Sequence, residues 1–116
     1  TFVMNKVREV VIYKNYFTDF VKKLPLKVQD KIAKVVTAIE TLERVPANYL
    51  KHLDGTDGLY EARIKLGSSI WRVFCFFDKG RLVTLLNGFI KKTEKTPESE
   101  LRKAIKLMKE YYSENK

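Results

Sequence analysis

The sequence predicts an α+β fold in the order β-α-α-β-β-β-α, with an antiparallel-dominated sheet packed on helices. Two observations predict it. Three strand-like segments run consecutively through residues 59–66, 70–78 and 82–90, with joints at Gly67-Ser68 and Lys79-Gly80 short enough for hairpins. The helix-like segments stand apart from them, two before and one after, and helices segregated from a run of strands mark the α+β class. At 116 residues the chain supports one core and not two, so residues 1–116 are read as a single domain.

Each element has its own signal. Residues 6–13, KVREVVIY, are rich in β-branched side chains and predict the first strand. Phe17, Phe20, Val21 and Leu24 follow at spacings of three and four, which predicts a short helix over 15–23. Pro25 suits the first turn of a second helix, where its missing N–H has no partner to lose. Val28, Ile32, Val35, Val36, Ile39 and Leu42 form that helix's apolar stripe, and Pro46 closes the region. Residues 47–58, with Asp54, Gly55, Asp57 and Gly58, predict a loop. The last helix opens at Thr96-Pro97-Glu98, a cap, a first-turn proline and an acid suited to the helix dipole. Its expected stripe is Leu101, Ile105, Met108 and Tyr112, and the tail SENK is expected to fray.

The net charge of +9 restricts the partners more than the fold. Nucleic acid is the first candidate, an acidic protein the second and an anionic membrane surface the third. One cysteine, Cys75, and one histidine, His52, leave no internal disulfide and too few soft ligands for zinc. No metal and no cofactor are expected, and the expected setting is cytoplasmic. No apolar run approaches the ~18 residues of a membrane span, and TFVMNK lacks the features of a signal peptide.

Strand parity locates the charge. In 59–66, Tyr60, Ala62, Ile64 and Leu66 share one face, while Glu61, Arg63 and Lys65 share the other. A two-residue turn at Gly67-Ser68 sets Leu66 opposite Ser69 and Arg63 opposite Arg72. Trp71, Val73, Cys75 and Phe77 then face the helices, and both arginines are expected on the face away from them. Like charges directly opposite each other repel. Either Glu61 offsets the two arginines, or they snorkel into water, or they await an anion. Phe74 and Phe76 share the face of Arg72 and suit base stacking, a second small core or a protein-binding patch. Lys91, Lys92 and Lys95 follow in the loop KKTEKT, and Lys51 and His52 lie in the loop before the first hairpin strand.

The phrases G-L-Y-E-x-R at 58–63, W-R-V-F at 71–74 and F-x-K-K-T-x-K-T-P at 89–97 in combination resemble the RelE/HigB toxins, specifically the phage Gp49-like branch. The resemblance covers most of the chain and is most specific over about 50–110. It implies a RelE/ParE-like, microbial RNase-like fold. It also implies the toxin of a type II toxin–antitoxin system, a ribosome-dependent mRNA endonuclease that uses the RNA 2′-OH without a metal. By position it implies Arg63 and Arg72 as phosphate-stabilising catalytic residues, and Lys92, Lys95 or His52 as proton carriers. Lys51, Lys65, Phe74, Phe76 and Lys91 are the expected RNA contacts. The implied partners are a HigA-type helix-turn-helix antitoxin, in a higher oligomer, together with the ribosome and mRNA; no membrane is involved. Many relatives carry a tyrosine or histidine near an end of the last helix, where this chain has Thr96-Pro97 at the start and Tyr111 and Tyr112 further on. Two other functions fit the same residues, a ParE-like gyrase inhibitor and a basic protein-binding module. On the open-face reading, Arg72→Ala removes toxicity and leaves folding intact.

Overall fold

The computed structural model describes residues 5–79 and 82–114. The predicted Lys79-Gly80 turn and the end of the SENK tail therefore fall partly outside the described residues, as does the TFV start.

The expected order is present with one addition. It runs β1 (Glu9–Ile12), α1 (Tyr16–Lys22), α2 (Leu26–Thr41), β2 (Leu50–His52), β3 (Leu59–Leu66), β4 (Ser69–Asp78), β5 (Leu82–Lys91) and α3 (Glu98–Glu114). The added strand, β2, lies in the predicted loop and pairs antiparallel with β3 through Leu50 and Ala62. Burying Leu50 in the core anchors it, and three residues are too few to show a period. The five strands form one sheet in the order β1-β5-β4-β3-β2. Only β1 and β5 run parallel; the other three pairings are antiparallel.

Two cores sandwich this sheet. Val28, Ile32, Val35 and Ile39 of α2 meet Ala62, Ile64, Trp71, Val73 and Cys75 on one face, with Phe17, Phe20 and Val21 of α1 packed against them. Cys75 has no exposed surface, and burial pushes its thiol up to about 12. Arg8 closes the far end of α2, donating through Nη1 to the carbonyls of Ile39 and Leu42 and through Nη2 to that of Glu43. Those carbonyls have no partner within the helix. Leu42 falls outside the expected stripe: it is the extended C-cap and 39% exposed.

The other face is covered by α3, contrary to the expected placement of all helices on one side. Ala104, Leu107, Met108 and Tyr111 pack on Leu59, Phe74, Phe76, Leu86 and Phe89. The buried stripe is thus turned from the expected one. Leu101 and Ile105 are half-buried at its border, and Tyr112 is 44% exposed. A shift in the β4–β5 register between Val73 and Cys75 accompanies this packing, and on β5 Leu86 enters the α3 core while Asn87 donates through Nδ2 to the Glu100 carbonyl and carboxylate.

A polar latch ties α3 to the end of β1. The Tyr13 hydroxyl donates to Glu114 Oε2 at 2.9 Å and to Glu110 Oε1 at 3.2 Å. Lys14, in the left-handed region at φ 55°, pairs with both carboxylates. Burial and the Glu114 and Glu110 bonds push the Tyr13 phenol up to about 12. The hydrogen bond to Glu110 likewise raises Lys14. Both groups hold their protons longer in the folded state, so the unfolded chain binds fewer protons once pH exceeds the ordinary tyrosine value near 10. Stability is therefore expected to fall as pH rises from 10 towards 12. Thermal melts of Tyr13→Phe are expected to show a shallower fall over that window; an unchanged slope would remove Tyr13 from the latch.

Candidate nucleic-acid interface

The register of the sheet places the charges in rows on the α3 face. Arg63 stands opposite Arg72, which stands opposite Phe89. One row towards the β3–β4 turn, Lys65, Ile70 and Lys91 are neighbours. One row the other way, Lys51, Glu61 and Phe74 align. In these three rows five cations stand beside one carboxylate, Glu61. The α3 helix covers the part of the face that carries Phe74 and Phe76 and leaves the hairpin end open. There a shallow cavity of about 200 Å³ is lined by Asn48, Arg63, Lys65, Ile70 and Arg72.

The two arginines are held differently. Arg72 is 5% exposed. Its Nε donates to Glu61 Oε1 at 3.2 Å and its Nη1 to the Trp71 carbonyl at 3.3 Å. Burial lowers the Arg72 pKa from its ordinary value; Glu61 opposes that shift and Arg63 adds to it. A guanidinium nonetheless stays charged at neutral pH. The Arg63 side chain is more open, and its Nε lies 3.4 Å from the same Glu61 oxygen, an ion pair without hydrogen-bond geometry. Its Nη1 donates to the Ala47 carbonyl at 3.4 Å. Glu61 is 4% exposed and its Oε2 has no hydrogen-bond partner.

The other expected site residues divide. Lys51 and Lys65 are exposed and Lys91 is half-buried, all on the arginine face by register. Lys92 and Lys95 are exposed in the segment that leaves β5 for α3, where the Thr93 hydroxyl donates to the Lys95 carbonyl. His52 is separated from the arginines: it stands opposite Tyr60, on the α2 face. It contacts the Tyr60 ring edge-on at 5.1 Å and lies 3.7 Å from Asp54. Phe74 and Phe76 need correction. With 0% and 1% exposure they are core residues under α3 and present no ring to a base. The signal for this lies in VFCFF itself, where both parities of β4 are apolar, as in strands buried on both faces. Asn48, which enters the cavity from the segment before β2, carries no such signal.

No helix of the described residues is long and apolar enough to cross a membrane. No curated protein matches the sequence. A chain in the crystal structure of the archaeal RelE–RelB complex from Pyrococcus horikoshii OT3 superimposes with a TM-score of 0.56 at 22% identity. The match covers 74% of this chain and 97% of that one, and it shows a shared RelE fold. The model of the phage-derived Gp49-like proteins (DUF891) matches residues 19–109. That span takes in α2, the β3–β5 meander and the arginine pair, and the chain belongs to the phage-derived Gp49-like family.

Proposed function

We propose that the protein is the toxin of a type II toxin–antitoxin pair and that it cuts mRNA on the ribosome. The cationic hairpin end of the sheet carries this reading, above all the cross-strand pair Arg63 and Arg72 lining one cavity. The RelE fold, and the RelE–RelB complex that holds the matched chain, support a toxin with an antitoxin partner. In this reading that partner is a HigA-type helix-turn-helix protein assembling with the toxin into a higher oligomer, and the setting is cytoplasmic.

The chemistry asks little of the protein beyond placed charge. The RNA 2′-oxygen attacks the adjacent phosphorus, the bond to the 5′-oxygen breaks, and a cyclic phosphate remains. The pentacovalent transition state gathers negative charge on its equatorial oxygens, which Arg63 and Arg72 stabilise. Lys51, Lys65 and Lys91 hold neighbouring phosphates, through contacts that release counterions and weaken with salt. One proton leaves the 2′-OH and one reaches the 5′-oxygen. Lys92 and Lys95, which follow Lys91 in the chain, are the proposed carriers. A lysine acts as base only with a pKa depressed by crowding cations. His52, on the other face of the sheet, is set aside.

Translation of a defined mRNA in a purified system, followed by mapping of the RNA ends, tests the proposal. The expected result is cuts at the codon in the ribosomal A site, each leaving a 5′-hydroxyl. Intact mRNA with gyrase-linked DNA breaks in parallel reactions would replace it with a ParE-like activity.

A further inference from the structure

We propose that Glu61 is a positioning residue, which gathers the Nε edges of Arg63 and Arg72 on one carboxylate oxygen and leaves Nη2 of each for a single phosphate. The inference rests on the reading that this face takes phosphate. Two guanidinium groups directly opposite on neighbouring strands repel and would splay apart. Glu61 Oε1 instead lies 3.2 Å from Arg72 Nε and 3.4 Å from Arg63 Nε. The Nη1 groups are held from other directions, by the Trp71 carbonyl for Arg72 and the Ala47 carbonyl for Arg63. Arg72 is thus hydrogen-bonded at two of its three nitrogens, and Arg63 is hydrogen-bonded at Nη1 and ion-paired at Nε. The remaining Nη2 groups have no hydrogen-bond partner among the described residues, and both arginines line the cavity.

The pairing of Glu61 is costly if its purpose is stability alone. Its Oε2 is buried and unpartnered, and an unsatisfied buried acceptor carries a desolvation penalty. Replacing a buried ion pair by apolar residues is often neutral or stabilising. An acid retained beneath two arginines at a cavity edge fits a role in aiming them. It also lowers the local charge, so one phosphate is held by directed donors rather than by excess charge alone.

The test exploits a conflict of sign. Removing a carboxylate beside an anion site strengthens anion binding by Coulomb attraction alone. If Glu61 aims the arginines, its removal weakens binding instead. The full chain is titrated with inorganic phosphate while the side-chain nitrogen resonances of Arg63 and Arg72 are followed by NMR. The wild-type protein is expected to show saturable shifts at both guanidinium groups. Glu61→Gln, similar in shape but neutral, is expected to bind phosphate roughly tenfold more weakly, about the worth of one charge-assisted hydrogen bond. Glu61→Asp keeps the charge but falls a methylene short of the Nε edges. It is expected to weaken binding as well, and it serves should Glu61→Gln fail to fold. Equal or tighter phosphate binding by a folded variant overturns the proposal, as does a wild-type protein whose two guanidinium groups do not respond. The readout needs no ribosome, so a protein that binds phosphate through both arginines and yet leaves mRNA intact removes the nuclease reading alone.

Discussion

Phe74→Ala is expected to cost about 3–5 kcal/mol, the usual range for truncating a buried aromatic. Against the ~5–15 kcal/mol that holds a domain of this size together, that is a large share. Phe74 has no exposed surface, and its ring packs 5.4 Å from that of Phe89 beneath α3. Urea denaturation is expected to show the midpoint falling steeply, with the slope unchanged. If the ring were an exposed platform for bases, the same substitution would leave the midpoint in place and weaken RNA binding. That result would remove α3 from this face.

The second large effect is on activity. Arg63→Ala is expected to lower mRNA cleavage by about 10²–10³-fold, the usual loss when one preorganised donor to a developing oxyanion is removed. Folding should survive, because Glu61 keeps its hydrogen bond to the buried Arg72 and the Arg63 side chain is already 27% exposed. Arg72→Ala is the poorer probe. It strips the hydrogen-bonded partner from a carboxylate that is 4% exposed, and breaking a buried pair from one side costs about 3–5 kcal/mol. The expectation that Arg72→Ala leaves folding intact does not survive its burial. End-mapping of the cut mRNA, beside a melting curve for each variant, separates the two outcomes. Undiminished cleavage by a folded Arg63→Ala would remove Arg63 from the site.

Much of this was legible from alternation alone. The hairpin register, with Arg63 opposite Arg72 and Leu66 opposite Ser69, follows from a two-residue turn and from keeping charge off the α2 face. The α2 stripe from Val28 to Ile39 is equally plain. The placement of α3 was not, because period tells which residues of a helix are apolar and not which sheet face receives them. Phe74 and Phe76 look identical in sequence whether they meet RNA or Met108. The helix stripe is turned from its expected place for the same reason: Ile105 and Tyr112 are as apolar as Leu107 and Tyr111, and only the sheet beneath selects between them. The place of His52 in the chain sets it beside Lys51, but a single residue of strand parity puts it on the other face from the arginines.

The short outer strands of the sheet have a further consequence. β2 pairs with β3 only from Tyr60 to Ala62, and β1 pairs with β5 only from Leu82 to Leu85. Beyond them, towards the β3–β4 turn, the outer edges of two long strands lack a strand neighbour among the described residues. Such edges invite a second molecule to add a strand, and lysines are a common guard against it. Lys65 on β3 and Lys91 on β5 stand on those stretches. Two copies meeting there bring like charges together, so the two lysines proposed above to hold phosphate also guard these edges against self-association.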